Sequence, residues 1–265
     1  MRKMTTTKII QKKGKEKIIM LTAYDALLAG ILDKLDIDII LVGDSVGTVL
    51  LGYDSTIPVR LENMIYHTAC VARVVENSFV VADMPFLSFN IDEKQALINA
   101  GRLIQEGGAN AVKLEGGKKI ISIVKNIVDN GIPVMGHIGL TPQAINKLGG
   151  YKVQGKEEEE YKKLLEDAML LEEAGIFSLV LECVPVQLAK EITEKIKIPT
   201  IGIGAGKYCD GQVLVTYDML GFFEKFKPKF VKRYKNIFNE IIDGVKEFCN
   251  EVKEGKFPDD EHSYF

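Results

Sequence analysis

A (β/α)8 TIM barrel that forms a single domain is the fold this sequence predicts, for three reasons. Short apolar strands alternate with helical segments at least seven times along the chain. The length of 265 residues suits such a barrel, whose typical size is about 250 residues. The strands are apolar on both faces, as parallel strands covered by helices are. An open doubly wound sheet is the alternative, but no GxGxxG motif follows the first strand, which argues against a dinucleotide-binding version.

The strands are expected as short apolar runs that end near glycine, proline or a charged residue. They lie at 18–24, 38–43, 78–82, 109–117 (with its closing glycine turn), 131–136, 178–181, 198–203 and, as a short eighth strand, 229–231. We expect the single domain to span residues 1–265, with a polar, basic arm (1–16) covering one end of the barrel and a tail at 255–265.

The helices alternate with these strands. Asp25 is a good N-cap for the first of them, which runs to Leu35 and carries leucine and isoleucine on one face. The others are expected at 61–75, 92–106, 118–129, 156–174, 186–196 and 236–252. The run Glu157–Glu160 suits a helix N-terminus and is interpreted as a solvated face.

Composition excludes several classes of function. Lys and Arg number 34 against 37 Asp and Glu, so the chain has no basic excess for binding nucleic acid. Its four cysteines are widely spread without a CxxC motif, which favours neither a zinc site nor a disulfide framework. No apolar run approaches transmembrane length and no signal peptide is recognisable, so we expect no membrane association and a cytoplasmic location.

Charged residues stand at the ends of several strands, where a barrel of this kind collects its active-site side chains. Lys113 and Glu115 alternate with apolar residues, so both point the same way off the fourth strand. Asp44, Asp83 and Glu182 end the second, third and sixth strands. Alone, Lys113 and Glu115 fit a structural ion pair as well as a metal ligand beside a substrate-binding cation.

Together the carboxylates favour a metal site. Clustered carboxylates repel one another unless a cation joins them, and oxygen ligands with few histidines suit magnesium or manganese rather than zinc. Asp25 fits a helix N-cap, whereas Asp44 and Asp83 are expected to be followed by loops, which argues against a capping role for them.

The connection 138–155, which follows His137, is rich in glycine and polar residues. A loop of this length in a compact domain is more often functional than not. We therefore predict that 138–155, here named the cover segment, is mobile and closes over the site.

Many ordered motifs, covering nearly the whole chain, resemble the ketopantoate hydroxymethyltransferase family. They are Leu41–Ser45, Asp54–Thr56, Ala82–Phe86, Val112–Gly117, Gly136–Gln143, Gly149–Gly155, Leu181–Pro185, Ile201–Gly206 and Glu261–Ser263. One departure is Tyr217, where many relatives have histidine before the aspartate; it lies outside the site positions and leaves only the local packing uncertain.

The resemblance implies a magnesium-dependent barrel enzyme of pantothenate and coenzyme A biosynthesis. It would transfer a hydroxymethyl group from 5,10-methylenetetrahydrofolate to 3-methyl-2-oxobutanoate, through an enolate and an aldol-type addition, giving 2-dehydropantoate. The family typically forms a homodecamer of two pentameric rings. Weak support for a homo-oligomer comes from Phe222, Phe223 and Phe226, which could equally be core residues.

The resemblance also implies roles for individual residues. Asp44, Asp83 and Glu115 match the metal positions, and Asp44, Ser45, Asp83 and Lys113 match the contacts to the oxo acid, to which we add His137. Glu182 matches the catalytic base, with His137 as its rival for that role.

Two other functions remain open. One is a different magnesium-dependent barrel enzyme acting on 2-oxo acids, of the phosphoenolpyruvate mutase and isocitrate lyase group; the motifs of 137–155 favour the hydroxymethyltransferase. The other is a scaffold or ligand-binding barrel without activity, which would be expected to lose its strand-end acids. All of those acids are present.

Overall fold

The computed structural model describes residues 3–224 and 228–265, which divide into two compact units, Met1–Leu214 and Val215–Phe265. In the first unit, eight parallel strands close into a barrel in sequence order, which confirms the predicted fold class. The strands are β1 Ile18–Thr22, β2 Ile39–Val42, β3 Phe79–Asp83, β4 Ala111–Glu115, β5 Val134–Gly139, β6 Ser178–Glu182, β7 Thr200–Ile203 and β8 Gly211–Leu214.

The helices of this unit lie before, between and beside the strands. They are α1 Thr6–Gln11, α2 Ala26–Leu32, α3 Val46–Val49, α4 Leu61–Ala72, α5 Glu93–Gln105, α6 Ile121–Asp129, α7 Ile145–Leu148, α8 Glu158–Glu173 and α9 Val186–Lys195, with 3-10 turns at Lys118–Ile120 and Pro142–Ala144. Asp25 caps α2 as predicted, since its carboxylate accepts a hydrogen bond from Leu28 N at 2.8 Å. The glutamates at 157–160 are exposed, as expected of a solvated face.

The predicted N-terminal arm covers one end of the barrel. Ile9 on α1 is fully buried and belongs to the same apolar cluster as Ile18 and Met20 of β1. The backbone N–H of Met4 bonds to Asn77 O, just before β3 begins. The arm therefore seals the N-terminal ends of the strands and leaves the opposite rim for chemistry.

The eighth strand is not where the sequence pattern put it. Strand β8 follows β7 after the connection 204–210, which contains no helix, so the alternation of strand and helix breaks there. The predicted strand 229–231 is instead a turn, closed by a hydrogen bond from Val231 N to Pro228 O. A four-residue strand that begins with glycine shows too short an apolar pattern to be recognised when no helix precedes it.

Two other expectations need correction near the site. Strand β5 begins after Pro133, whose nitrogen has no N–H for the ladder, and not at Gly131 as expected. It continues through His137 to Gly139, beyond the expected end. Helix α3 begins two residues after Asp44, where a loop was expected, because local bonds such as Val49 N to Ser45 O close one turn. The carboxylate of Asp44 nevertheless does not cap this turn; it accepts a hydrogen bond from Gln143.

Strand register brings the charged residues side by side. Asp83 is level with Lys113, Glu115 with His137, and Gly139 with Glu182. Because neighbouring parallel strands lie about 4.8 Å apart, side chains at matched positions on the same face are in contact range. The fold thus gathers residues that are far apart in sequence at one end of the barrel.

Among its described residues, the second unit contains the helices α10 Thr216–Leu220 and α11 Ile237–Glu254 and a 3-10 turn at Asp260–His262. Tyr217 packs on Phe222, with ring centroids 4.7 Å apart, and lies 6.4 Å from the ring of Phe223. Phe226 lies outside the described residues. Within 3–224 and 228–265, no helix combines the length and apolar character needed to cross a membrane.

Gly139 at the end of β5 provides a stability prediction. Its φ is +96°, and a Cβ there would lie 2.2 Å from the carbonyl oxygen of Glu182. We expect Gly139→Ala to lower the free energy of unfolding by about 1–3 kcal/mol or more, since strained φ and overpacking both act.

The control is Gly101→Ala inside α5, where a Cβ meets nothing within 4 Å. It should raise the free energy of unfolding by about 0.5–1 kcal/mol. Urea unfolding at one protein concentration checks both variants, and equal stabilities for the two would contradict the close approach at Gly139.

Candidate active site

A cluster of buried charged side chains lies at the C-terminal ends of β3, β4 and β5. The ammonium of Lys113 is 3.0 Å from Asp83 Oδ1, and both side chains are only about one-twentieth exposed. Glu115 and His137 lie beside them and are also buried. The prediction that Lys113 and Glu115 point the same way is confirmed, because both reach His137.

Asp44 joins the cluster from the end of β2. Its backbone N–H donates to Asp83 Oδ2 at 3.0 Å, which ties the segment after β2 to the end of β3. Burial raises the pKa of the Asp44 carboxyl well above its usual range, and repulsion from Asp83 and Glu115 adds to that effect. Burial likewise raises the pKa of Asp83, although Lys113 opposes it. The aspartates are therefore held in a site that carries more negative charge than its own lysine offsets.

Lys113 and Glu115 are stabilised in their charged forms. Burial lowers the pKa of Lys113, but attraction to Asp83, Glu115 and Asp44 outweighs it, so the pKa lies above its ordinary value. Burial raises the pKa of Glu115, but the hydrogen bond and charge of His137 outweigh it, so the net shift is downward. Removing either partner would leave a buried charge unpaired, which is strongly unfavourable.

His137 bridges the strands β4 and β6. Its Nδ1 lies 3.1 Å from Lys113 Nζ and 3.5 Å from Glu115 Oε1, while its Nε2 lies 3.2 Å from Glu182 Oε2 without hydrogen-bond alignment. Burial and the Lys113 ammonium lower the pKa of His137, but the carboxylates of Glu115 and Glu182 outweigh them and raise it to about 9. A carboxylate therefore lies beside each ring nitrogen, while the Lys113 ammonium, which pairs with Asp83, also lies against Nδ1.

Gln143 is a member of the cluster that the motif analysis did not single out. Its side-chain Nε2 donates to Asp44 Oδ2 and to Met84 O, each at 2.9 Å, and its backbone N–H donates to Glu115 Oε2 at 3.1 Å. The only signal in the sequence was its place in Thr-Pro-Gln just beyond β5, where a proline-led turn holds a polar side chain at the rim.

Ser45 lies at the edge of the cluster. Its hydroxyl is 2.7 Å from the hydroxyl of Tyr24, a fully buried residue just after β1. The carbonyl of Tyr24 in turn contacts His67 Nδ1 at 2.7 Å, so this histidine supports the rim from α4. The Ser45 hydroxyl makes no cap bond to α3 and is bonded to Tyr24 instead.

The cover segment is fastened to the sixth strand. Leu140 N donates to Glu182 O at 2.8 Å, and Gln154 N donates to Cys183 O at 2.9 Å. Cys183 has a φ of +48°, an uncommon conformation for a side chain other than glycine. Both ends of the segment thus meet the strand end that carries Glu182, and a strained residue holds that junction.

Magnesium, which the family resemblance implies, fits the chemistry of this donor set. The carboxylates of Asp44, Asp83 and Glu115 are buried oxygen donors, and Asp83 Oδ1 has no aligned hydrogen bond. In the part of the chain that the structure describes, no three His, Cys, Asp or Glu side chains are arranged to hold a metal ion as they stand. The reason is local, since Lys113 and the amide of Gln143 lie against these carboxylates.

Known proteins are similar to this chain over almost its whole length. The family model described as ketopantoate hydroxymethyltransferase matches residues 3–260. A 3-methyl-2-oxobutanoate hydroxymethyltransferase from Thermoanaerobacter sp. (strain X514) is 61% identical over 253 residues, covering 96% of this chain and 92% of the relative. One from Caldicellulosiruptor saccharolyticus is 56% identical over 265 residues and covers all of both chains.

Solved structures share the fold at much lower identity. A phosphonopyruvate hydrolase in complex with oxalate and Mg²⁺ has a TM-score of 0.64 at 9% identity, covering 98% of this chain and 93% of that one. A phosphoenolpyruvate phosphomutase from Streptomyces platensis subsp. rosaceus has a TM-score of 0.63 at 12% identity, covering 98% and 91%. The family predicted from the motifs is thus confirmed by the close relatives: the chain belongs to the ketopantoate hydroxymethyltransferase family, a family of enzymes that transfer one-carbon groups.

Proposed function

We propose that this enzyme transfers a hydroxymethyl group from 5,10-methylenetetrahydrofolate to 3-methyl-2-oxobutanoate, giving 2-dehydropantoate for pantothenate and coenzyme A biosynthesis, with Mg²⁺ as cofactor. The buried charge cluster carries the proposal. Four carboxylates, Asp44, Asp83, Glu115 and Glu182, face two basic groups, Lys113 and His137. When all six groups are ionised, two negative charges remain, which is the charge that one Mg²⁺ compensates.

Asp44, Asp83 and Glu115 would hold the ion, because they supply the buried oxygen donors. When bound, Mg²⁺ supplies Lewis-acid polarisation of the keto group, which acidifies the neighbouring C–H. The oxalate and Mg²⁺ in the phosphonopyruvate hydrolase structure support this proposal through the shared fold. The amide of Gln143 would have to leave Asp44 Oδ2 for that carboxylate to take part.

The oxo acid would be held by residues around the same cluster. Lys113 offers a cation to the substrate carboxylate, and Ser45 offers a hydroxyl and a backbone N–H at the rim. Asp44, Asp83 and His137 complete the expected contacts. Burial makes these interactions stronger than they would be in water, because the effective dielectric is lower.

Glu182 is the proposed general base for the C3 proton of the oxo acid. It ends β6 at the rim, and its side chain keeps 14% of its surface exposed, so substrate has access to it. Nδ1 of its rival His137 already faces Lys113 and Glu115, and Nε2 faces Glu182 itself. After proton removal, C3 bonds to the methylene carbon, both bonds from that carbon to the folate nitrogens N5 and N10 break, and water supplies the hydroxyl oxygen. The proton taken from C3 and one proton of the water end on the two nitrogens of tetrahydrofolate.

Closure of the cover segment fits this chemistry, since a methylene donor is vulnerable to water. Gln143 lies in the segment and contacts both Asp44 and Glu115, so a change at these carboxylates is transmitted to the segment. Its mobility stays a prediction, which hydrogen exchange with and without the substrates measures. A cytoplasmic location also stays a prediction.

A homo-oligomer, by family resemblance a decamer, is also proposed. Helix α11 contains no buried residue, and a stripe of Ile241, Val245, Phe248 and Val252 along one face is about half exposed. Such a stripe normally packs against another surface. We expect a second copy of the chain to provide it.

Another 2-oxo-acid enzyme of the phosphoenolpyruvate mutase and isocitrate lyase group is the second candidate. The solved structures of that group favour it through the fold alone. Folate dependence distinguishes the two, because only the hydroxymethyltransferase forms 2-dehydropantoate from 3-methyl-2-oxobutanoate and 5,10-methylenetetrahydrofolate. The assay runs with and without Mg²⁺.

The base assignment predicts the behaviour of Glu182→Gln. With Mg²⁺ present, the variant should bind the oxo acid nearly normally but lose about 10²–10⁴-fold in the exchange of its C3 proton into deuterated water, since proton transfer by a positioned base contributes that much. The matched variant is His137→Asn. Exchange that survives in Glu182→Gln and disappears in His137→Asn would reverse the two roles.

The charge cluster predicts an elevated pKa for His137 in the metal-free protein. Selective ¹³C labelling of histidine and NMR titration should give about 9, above the ordinary 6.5. Because the folded-state pKa is raised, this contribution to stability is complete below pH 6.5 and is lost as the pH rises through about 9. Glu115→Gln should lower the pKa, since it removes a carboxylate from Nδ1; a His137 that titrates at 6.5 in the parent protein would contradict the arrangement.

If α11 forms the interface of the oligomer, a new charge on this helix should disrupt assembly only when it lies in the apolar stripe. Val245→Asp should reduce the mass measured by light scattering, because it places a charge in the apolar stripe. Lys246→Asp, at an exposed position about 100° around the helix from Val245 and outside the stripe, should leave the mass unchanged. A monomeric parent protein at working concentration would rule out the proposal.

A further inference from the structure

A cavity of about 920 Å³ lies directly beside the buried charge cluster. Glu115 and Gln143 line it, so it begins where the cluster ends. Its other walls come from the segments that follow β3 and β4, from the cover segment and from α8. Its size falls within the range of about 300–1,000 Å³ typical of small-molecule sites. The proposed oxo acid and ion occupy only the cluster, which leaves this adjoining space without an assigned ligand.

One wall of the cavity is apolar. Phe86, Ile120, Ile123 and Leu164 contribute to it, and the last three keep only 6–8% of their surface exposed. Gly116 and Gly117, which directly follow β4, also line the cavity. Flat aromatic rings are well suited to such a surface, because they bury a large area with little loss of conformational freedom.

Four lysines line the cavity, against three acidic residues, Glu115, Glu160 and Asp167. Lys118 pairs with Glu166 at 2.7 Å, and Lys163 pairs with Asp167 at 2.8 Å. Lys119 and Lys147 also line the cavity and are exposed, and within 3–224 and 228–265 no ion-pair partner is found for either. Lys119 and Lys147 are therefore uncompensated cations in the lining of the cavity that Glu115 also lines.

We propose that this cavity is the binding site for the folate co-substrate, with its rings on the apolar wall and its glutamate carboxylates at Lys119 and Lys147. The inference rests on the proposed function, which requires a one-carbon donor within reach of C3 of the oxo acid. Folate has the matching order of chemistry: a flat ring system that carries the one-carbon unit, an aromatic linker and a terminal glutamate with two negative charges. The ring end reaches Glu115, and the charged tail reaches the two free lysines.

The same placement gives the cover segment a second role. Residues 143–148 of the segment form one side of the cavity, and Gln143 also binds Asp44 and Glu115. Folate would therefore bind against the residues that close the oxo-acid site. Contact with the donor and exclusion of water then depend on one segment of chain.

The test reverses the charge of the two lysines that are proposed to bind the glutamate tail of folate. Lys119→Glu/Lys147→Glu should weaken binding of tetrahydrofolate, measured by calorimetry, at least about tenfold and raise the KM for 5,10-methylenetetrahydrofolate similarly, with a smaller change in kcat. The matched control is Lys94→Glu/Lys125→Glu, which changes the net charge equally on exposed positions of α5 and α6 outside the cavity. It should bind tetrahydrofolate as the parent protein does.

A second ligand isolates the tail. Tetrahydropteroate lacks the glutamate, so the cavity variant and the parent protein should bind it equally. Tetrahydrofolate should also protect the backbone amides of 118–123 and 143–148 from hydrogen exchange in the parent protein. Equal tetrahydrofolate affinity in both double variants and the parent, or protection elsewhere on the barrel, would overturn the site.

The outcome for the site is separable from the outcome for the proposed function. Exchange of the C3 proton of 3-methyl-2-oxobutanoate needs no folate and reports on the charge cluster alone. A parent protein that exchanges this proton and binds tetrahydrofolate, with no difference between the variants, disproves the location. A parent protein that does neither disproves the proposed function and this inference with it.

Discussion

The buried ammonium of Lys113 is the constraint on which the rest of the site depends. A lysine that is 95% buried is stable only when anions surround it, and Asp83, Glu115 and Asp44 supply them. The arrangement is reciprocal, because the carboxylates also need a cation, and one lysine with one histidine is not enough for four of them. The site is consequently built as a set of groups that require each other, and the further positive charge that would balance them is the one that the proposed Mg²⁺ supplies. Replacing a single member leaves its partners unpaired in a low dielectric, which costs far more than the loss of a surface ion pair.

The closed barrel makes such a cluster tolerable. Matched register places Asp83 beside Lys113 and Glu115 beside His137, so the pairs form without any adjustment of long loops. Below them the interior is apolar, from Val81 and Met135 down to Ile9 of the arm, which closes the far end. The charge cluster is thereby separated from the other buried charges, such as Asp38 and Asp210, which lie before the strands β2 and β8. The apolar layer beneath the cluster keeps water away from it on that side, which strengthens every charge interaction within it.

Sequence alone predicted the features of the fold that recur along the chain. Apolar runs ending in Asp44, Asp83, Glu115 and Glu182 are local patterns, and they identified the barrel and the rim. The position of strand β8 was not predicted because no helix lies between it and β7. The role of Gln143 was not predicted, for a different reason. Its amide bonds to Asp44 and Met84, which lie 99 and 59 residues away in the sequence, and no local sequence pattern indicates such a contact. The charge state of His137 likewise depends on carboxylates from two other strands, which only the assembled barrel brings together.

Gln143 also explains why the charge cluster and the cover segment are not independent parts. Its amide has two N–H groups, and both are used, one on Asp44 Oδ2 and one on the carbonyl of Met84. Its backbone N–H is used as well, on Glu115. A cation or substrate that engages these carboxylates competes with the same donors, so the start of the cover segment must respond to it. The segment's far end is fixed near Glu182 through the Gln154 N–Cys183 O bond, beside a residue of positive φ. The segment that forms one wall of the adjoining cavity is thus bonded near its start to the proposed metal ligands and near both ends to the strand end that carries the proposed base.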